Sequence, residues 1–93
     1  PAAGLDPAHQ IRTMGVFREL AAEGRGVVVS IHDLGLAARH CTRLVMMHRG
    51  RIVADGPAPA VLTDAALAAV FGIRALTLES AEGPVIQPVA VLE

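Results

Sequence analysis

The amino-acid sequence predicts an α/β fold in which an incomplete parallel β-sheet lies against flanking helices. A helix-like segment that begins near Asp6 is followed, after Gly24, by the run Val-Val-Val-Ser-Ile at residues 27–31. This nearly continuous apolar run is typical of a strand that is buried on both faces of a parallel sheet. The chain is 53% hydrophobic but only 2% aromatic, so its core is built from Ala, Val, Leu and Ile. Such a core suits a sheet that packs between helices.

The first helix is expected over residues 7–23. Asp6 is a favourable N-cap residue, and Pro7 suits the first helical position, where its missing N–H costs nothing. Gly24 favours the end of the helix, and helix followed directly by strand is the second half of a βαβ unit. One broad face of this helix carries apolar residues at helical spacing: Ile11, Met14, Phe17, Leu20 and Ala21.

His32 is the leading candidate for a functional residue. It follows the predicted strand directly, and ligands of open α/β sheets bind at the carboxyl ends of the strands. Asp33 is a possible N-cap for a short helix that extends to about Cys41. Gly35 inside that helix costs about 1 kcal/mol relative to Ala, so packing is expected to hold the helix in place. The alternative is that His32 is a hydrogen-bonded core histidine without a function.

An antiparallel β-hairpin is expected after the short helix. Its strands are residues 43–48 and 51–54, and the connection Arg49-Gly50 is short and has glycine at its second position. Both features are typical of a tight hairpin turn. The Asp-Gly-Pro sequence at residues 55–57 is expected to end the second strand.

The last part of the chain predicts helical turns and then a second hairpin. Residues 58–62 resemble one helical turn, and Thr63 is expected to cap a further helix that Gly72 ends. Residues 74–92 contain two β-rich segments on either side of a Ser-Ala-Glu-Gly turn. Pro88 confines the second of these strands to a sheet edge, because proline cannot donate to a central ladder.

Composition and charge argue against several classes of function. The net charge is −1 and the aromatic content is 2%, so the chain has neither the basic surface nor the stacking side chains of a nucleic-acid-binding protein. No apolar run approaches the roughly 18 residues that a membrane span needs. The single cysteine, Cys41, forms no internal disulfide, which fits a reducing compartment.

Other catalytic and metal-binding patterns are not supported. His40, Cys41 and His48 lack the spacing of a zinc site, so no metal site is expected. Ser30 lacks the G-x-S-x-G context of a nucleophile, which argues against a triad with His32 and Asp33. The chain contains neither a G-x-x-x-x-G-K-[ST] loop nor a G-x-G-x-x-G motif, so it carries no phosphate cradle of its own.

Several segments, taken in order, resemble the C-terminal part of the ATP-binding subunits of ABC transporters. They are Ala3-Gly4-Leu5-Asp6, Ser30-Ile31-His32-Asp33-Leu34, and residues 43–57 with the sequence RLVMMHRGRIVADGP. The resemblance implies a P-loop NTPase domain, of which residues 1–72 would be the C-terminal part. Residues 73–93 more loosely resemble the terminal β-hairpin tail of subunits that serve importers of iron-siderophore, haem or cobalamin type.

The resemblance implies roles for three residues. His32 would be the switch histidine, a catalytic residue that contacts the γ-phosphate of ATP and holds the attacking water in line. Gly4 and Asp6 would belong to the D-loop, with Asp6 acting across a dimer interface to couple two nucleotide sites. The N-cap interpretation of Asp6 is compatible with this role. The D-loop here begins with Ala3-Gly4 where the family commonly has Ser-Ala, so no serine hydroxyl acts at this place.

The resemblance also implies what the parent protein does. The parent would bind ATP and Mg²⁺, form a homodimer, attach to a membrane permease at the cytoplasmic face of the membrane, and energise import of a metal chelate. Pro1 would directly follow the catalytic glutamate, which predicts that the chain is a fragment. Because the Walker A loop, the signature motif and the Walker B carboxylates are missing from its sequence, the fragment is not expected to bind or hydrolyse ATP.

Two further expectations concern the chain by itself. An orphaned apolar strand would leave an exposed edge, which favours self-association of the fragment. The alternative to an ATPase fragment is a small non-catalytic α/β interaction or regulatory module. A parent gene that encodes Asp-Glu directly before Pro1 would support the ATPase interpretation over that module.

Overall fold

The computed structural model describes residues 6–92 as a mixed α/β chain with two separate two-stranded antiparallel sheets. The elements, in chain order, are α1 (Pro7–Ala22), α2 (Leu34–His40), β1 (Leu44–His48), β2 (Arg51–Gly56), α3 (Ala58–Val61), α4 (Asp64–Ala66), β3 (Ile73–Ser80) and β4 (Gly83–Val91). A π-helical stretch, Leu67–Phe71, continues directly from α4. Within residues 6–92, no helix is both long and apolar enough to cross a membrane.

The predicted start and end of α1 are confirmed. The Asp6 Oδ1 atom accepts a hydrogen bond from the backbone N–H of His9 at 2.8 Å, and Pro7 occupies the first turn. The helix ends at Ala22, and Gly24 follows with a φ of 90°, a conformation that glycine adopts without strain. Both ends are therefore set by local backbone chemistry that the sequence reveals.

The predicted buried strand at residues 27–31 is not formed among the described residues. This segment has no regular secondary structure and belongs to neither sheet, and Val28 is 100% exposed. Val29 and Ile31 are half-buried and line a small cavity with Met14 of α1. One face therefore lies toward α1 while the other is open, because no strand within residues 6–92 lies beside the segment to complete a ladder. The parallel sheet expected from the sequence is not observed in this part of the chain.

The first hairpin is confirmed. Strands β1 and β2 are antiparallel, with Leu44 opposite Gly56 and His48 opposite Arg51. The connecting residues Arg49 and Gly50 have φ values of 51° and 76°, and two positive φ angles are the mark of a type I′ turn. The second strand runs on through Gly56, so the break predicted at residues 55–57 comes later than expected.

The side chain of Asp55, in β2, is paired with Arg43, the residue directly before β1. The Arg43 guanidinium donates from Nε to Asp55 Oδ1 at 2.8 Å and from Nη2 to Oδ2 at 2.7 Å. Hydrogen bonding to this guanidinium lowers the pKa of the Asp55 carboxyl. The pair is exposed to solvent, so its main effect is to fix the register of the hairpin rather than to stabilise the whole fold.

This ion pair gives a pH-dependent prediction. In the folded chain the Asp55 carboxyl should titrate below the value of about 3.9 usual for aspartate, because its ionised form accepts two charge-assisted hydrogen bonds. The stability from the pair is present above the unfolded pKa and is lost as the pH falls through the lower folded pKa. Carbon-detected NMR titration of Asp55 should show its midpoint move up toward the usual value in Arg43→Gln. The matched change Arg51→Gln, opposite His48 on the same hairpin, should leave the midpoint in place; equal shifts in both variants would contradict the prediction.

The core lies where the helical turns and the second hairpin meet α2. Ala38 of α2, Ala58 of α3 and Ile86 of β4 form one buried cluster, and partly buried apolar residues pack around it: Leu34, Leu44, Leu62 and Ala75. Val61 and Leu67 are the largest fully buried side chains in the described part of the chain. Gly72, with a φ of 64°, ends the π-helical stretch as predicted and turns the chain into β3.

The second hairpin is also confirmed, and it folds back onto the core. Strand β3 pairs with β4 in antiparallel fashion, with Ile73 opposite Val91 and Ser80 opposite Gly83. Pro88 lies opposite Ala75, beside an irregularity in the register. Both strands of a two-stranded sheet are edge strands, so Pro88 lies on an edge strand, as the sequence predicted.

Candidate functional site

His32 lies between the segment at residues 27–31 and the start of α2. Its side chain is exposed, so it is not the core histidine that the alternative interpretation required. The next residue, Asp33, is the N-cap of α2, and its Oδ1 accepts from the backbone N–H of Leu36 at 2.9 Å. This cap fixes the first turn of α2 directly beside the imidazole and confirms the predicted role of Asp33.

An open cleft of about 410 Å³ lies beside His32. Its walls come from the start of α2, from the end of the π-helical stretch and from the second hairpin. The lining residues are His32, Asp33, Leu34, Phe71, Ile73, Ile86, Gln87 and Pro88. An exposed imidazole at such a cleft can donate a hydrogen bond to an anionic oxygen. The other lining side chains are mostly apolar, with Asp33 and Gln87 as the exceptions, so by itself the cleft is not a complete site for such a ligand.

Strand β4 packs closely along the buried side of α2. A Cβ atom at Gly35 would lie 3.3 Å from the backbone oxygen of Ile86 and 3.0 Å from Nη1 of Arg39. Arg39 Nη1 donates to the backbone oxygen of Pro84 at 3.1 Å. The absence of a side chain at Gly35 therefore lets β4 approach α2. This agrees with the prediction that packing holds α2 in place despite the helix-destabilising glycine. The contact made by Arg39 was not predicted, since nothing in the sequence relates it to a residue 45 positions away.

The structure does not bring all the predicted site residues together. Asp6 caps α1 and is exposed, and it is not among the described residues that line the cleft beside His32. Gly4 lies outside the described residues 6–92. His32 and Asp6 thus occupy separate places on the described chain, which is compatible with the different roles that the resemblance implied for them.

Two of the residues considered for a metal site, His40 and Cys41, have pKa values that burial shifts. Burial, followed by the charges of Arg18 and Arg39, lowers the pKa of His40, and its Nδ1 is buried without a hydrogen-bond partner among residues 6–92. Burial raises the pKa of the neighbouring Cys41 thiol. The described residues contain no group of three or more His, Cys, Asp or Glu side chains that could hold a metal ion.

Comparison with known proteins finds close relatives in one family, although no family model matches the chain. The hemin import ATP-binding protein HmuV of Bordetella avium is 46% identical over 76 residues, which cover 81% of this chain and 29% of that protein. HmuV of Nitrobacter winogradskyi is 38% identical over 92 residues, covering 98% of this chain and 34% of the relative. The cobalamin import ATP-binding protein BtuD of Halobacterium salinarum is 49% identical over 75 residues, covering 80% of this chain and 19% of the relative.

Over 80% or more of its length, the chain matches a part of the ATP-binding subunits of ABC transporters. The resemblance seen in the sequence is therefore confirmed, and the relatives are named for import of hemin and cobalamin. ABC ATP-binding subunits are P-loop NTPases, so the relatives have the fold family that the resemblance implied. The chain spans about a third of the length of the HmuV relatives and about a fifth of the BtuD relative.

Proposed function

We propose that this chain is the part of an ATP-hydrolysing importer subunit that presents the switch histidine, His32, to the terminal phosphate of ATP. The observation that carries the proposal is the exposed imidazole at the capped start of α2, in a chain closely similar to import ATP-binding proteins. The imidazole would donate a hydrogen bond to a γ-phosphate oxygen and help to hold the attacking water in line. Positioning and charge stabilisation of this kind are what phosphoryl transfer requires of a protein.

The described residues fit one contact to the terminal phosphate but not the whole nucleotide site. The cleft offers an imidazole and few other polar groups, and residues 6–92 hold no acidic cluster that could bind Mg²⁺. When bound, ATP and Mg²⁺ supply the phosphoryl group and neutralise its charge. The backbone cradle and the carboxylates would come from the further length that the relatives have. This stretch alone is accordingly proposed to have no ATPase activity.

We further propose that residues 1–72 belong to the ATPase domain and that residues 73–93 are its hairpin tail. In the whole domain, the segment at residues 27–31 would be one strand of a parallel sheet. Its half-buried face on α1 and the full exposure of Val28 support this proposal. An apolar side chain such as Val28 is otherwise costly to leave in water.

The whole subunit would act as a homodimer, bound to a membrane permease at the cytoplasmic face. The names of the relatives favour hemin or cobalamin as cargo, and both are metal chelates, as an iron-siderophore is. The test is Mg²⁺-dependent ATP hydrolysis by the purified full-length subunit, together with growth of a deletion strain on hemin as sole iron source or on limiting cobalamin. Hydrolysis together with loss of growth under one condition supports the proposal. A full-length subunit that binds and hydrolyses no ATP would instead favour the non-catalytic module.

Two substitutions separate the structural role of Asp6 from its proposed D-loop role. Asp6→Ala removes the hydrogen bond to the His9 N–H and should lower the free energy of unfolding by about 0.5–2 kcal/mol. Asn caps helices as well as Asp does, so Asp6→Asn should keep this stability while it removes the charge. Urea unfolding and ATP hydrolysis are measured on the full-length subunit. We expect Asp6→Asn to hydrolyse ATP more slowly with unchanged stability; a wild-type rate would leave Asp6 as a cap alone.

A further inference from the structure

The position of His32 depends on α2. Asp33 joins the histidine directly to the helix, and α2 has only seven residues, so it is about 10 Å long at 1.5 Å per residue. An isolated helix of this length is not stable in water, so tertiary packing must hold it. Any element that fixes α2 also fixes the backbone from which the imidazole projects.

Strand β4 is the element that packs most extensively on α2. The Ile86 side chain, which is 8% exposed, packs in one cluster with Ala38, and the Ile86 backbone approaches Gly35 closely. Arg39 adds a hydrogen bond to the Pro84 oxygen at 3.1 Å, and its Cγ lies against Gly83. The strand is thus held along α2 by an apolar side chain, a close backbone approach and a polar contact.

The same strand also lines the cleft beside the imidazole. Ile86, Gln87 and Pro88 form one wall of the cleft that His32 and Asp33 line. The second hairpin therefore both packs on the helix that follows His32 and forms a wall of the cleft beside the imidazole. Both features come from one strand, so a shift of β4 would disturb both at once.

We propose that the C-terminal hairpin, β3–β4, is a positioning element for His32, and that Ile86 and Arg39 are its positioning residues. This inference rests on the proposed function of His32. Neither Ile86 nor Arg39 touches the phosphate; each acts through α2 on the placement of the imidazole. Loosening the hairpin should therefore slow hydrolysis and leave the affinity for ATP unchanged, because a misplacement of about 1 Å in a catalytic group can reduce its rate about 100-fold.

The experiment compares Ile86→Ala with Val89→Ala in the full-length subunit. Val89 lies on the same strand, is 47% exposed and is not among the described residues lining the cleft, so it is a matched control. We expect Ile86→Ala to lower kcat for ATP hydrolysis about 10-fold or more with KM for ATP within about twofold. Val89→Ala should change neither. A folded Ile86→Ala subunit with wild-type kcat, or one that loses affinity for ATP to the same extent, would overturn the proposal.

A second pair of variants covers the case in which Ile86→Ala does not fold. Arg39→Ala removes the hydrogen bond to Pro84 and leaves the apolar cluster intact, whereas Arg39→Lys keeps a donor. We expect kcat to fall in Arg39→Ala and to recover in part in Arg39→Lys. The NMR signal of the His32 Cε1–H should shift in Arg39→Ala and in folded Ile86→Ala, and it should not shift in Val89→Ala. An unmoved His32 signal in the Arg39→Ala subunit would count against the inference.

A double substitution separates this inference from the proposed function. If the hairpin acts through His32, adding Arg39→Ala to a His32→Ala subunit should lower kcat no further. Independent, multiplying losses would mean that the hairpin does not act through His32. A His32→Ala subunit with wild-type kcat would instead reject the role of His32 itself, and the NMR shift would still report whether the hairpin positions the imidazole.

Discussion

Replacing His32 with alanine is expected to lower kcat for ATP hydrolysis by the full-length subunit about 100- to 1000-fold, the range seen when one preorganised hydrogen-bond donor to a transition-state oxygen is removed. The loss should fall on kcat because negative charge on the transferred group is rearranged in the transition state, where the imidazole contact counts most. Affinity for ATP should change little, since the remaining phosphate contacts come from other parts of the subunit. The measurements are steady-state hydrolysis and equilibrium binding of ATP.

The matched control is His9→Ala. His9 is also an exposed histidine, it lies on α1, and only its backbone N–H takes part in the Asp6 cap. This variant should keep the wild-type rate, because alanine retains that N–H. A His32→Ala subunit that hydrolyses ATP as fast as His9→Ala would show that the exposed imidazole has no part in catalysis, and the function proposed for the chain would lose its main support.

Leu67→Ala is expected to have the largest effect on stability. Leu67 is 1% exposed and lies at the start of the π-helical stretch, so its truncation removes buried apolar surface and leaves a cavity. Substitutions of this type lower the free energy of unfolding by about 2–5 kcal/mol. A loss of this size is a large share of the roughly 5–15 kcal/mol that holds an ordinary domain together.

The control for burial is the same substitution at Leu76, which is 51% exposed on β3. Leu76→Ala should cost clearly less, because most of the removed surface already contacts water. Urea unfolding of the full-length subunit, followed by a signal from this part of the chain, measures both variants. Equal losses at Leu67 and Leu76 would mean that this core, as described, does not dominate the stability of the region.

The elements that the sequence predicted correctly are those with a local cause. The Asp6 and Asp33 side chains each accept a hydrogen bond from an N–H three residues later, and this chemistry is the same wherever the chain lies in space. The Arg49-Gly50 turn is likewise selected by the φ angles of its own two residues. Family resemblance came from the order of such segments, which the comparisons then confirmed.

The prediction that the structure does not confirm, a parallel strand at residues 27–31, depended on a neighbouring strand. An apolar run such as residues 27–31 can extend by itself, but it becomes a strand only where a neighbouring strand completes its hydrogen bonds. No such neighbour lies among residues 6–92, so the segment joins no sheet there and Val28 remains exposed. The sequence predicted the apolar character of this segment correctly, but it could not predict which strand would pair with it.

By itself, then, the sequence determined the family resemblance, the starts of α1 and α2 and both hairpin turns, because each rests on a short motif or on backbone angles of adjacent residues. It also made His32 the leading candidate for a functional residue, which stays a prediction. Only the tertiary structure decided that β4 lies along α2, that Arg39 bonds to Pro84, and that residues 86–88 form a wall beside His32. These contacts join residues some 45 positions or more apart. Their formation depends on how whole elements fill space together, and no local pattern encodes that.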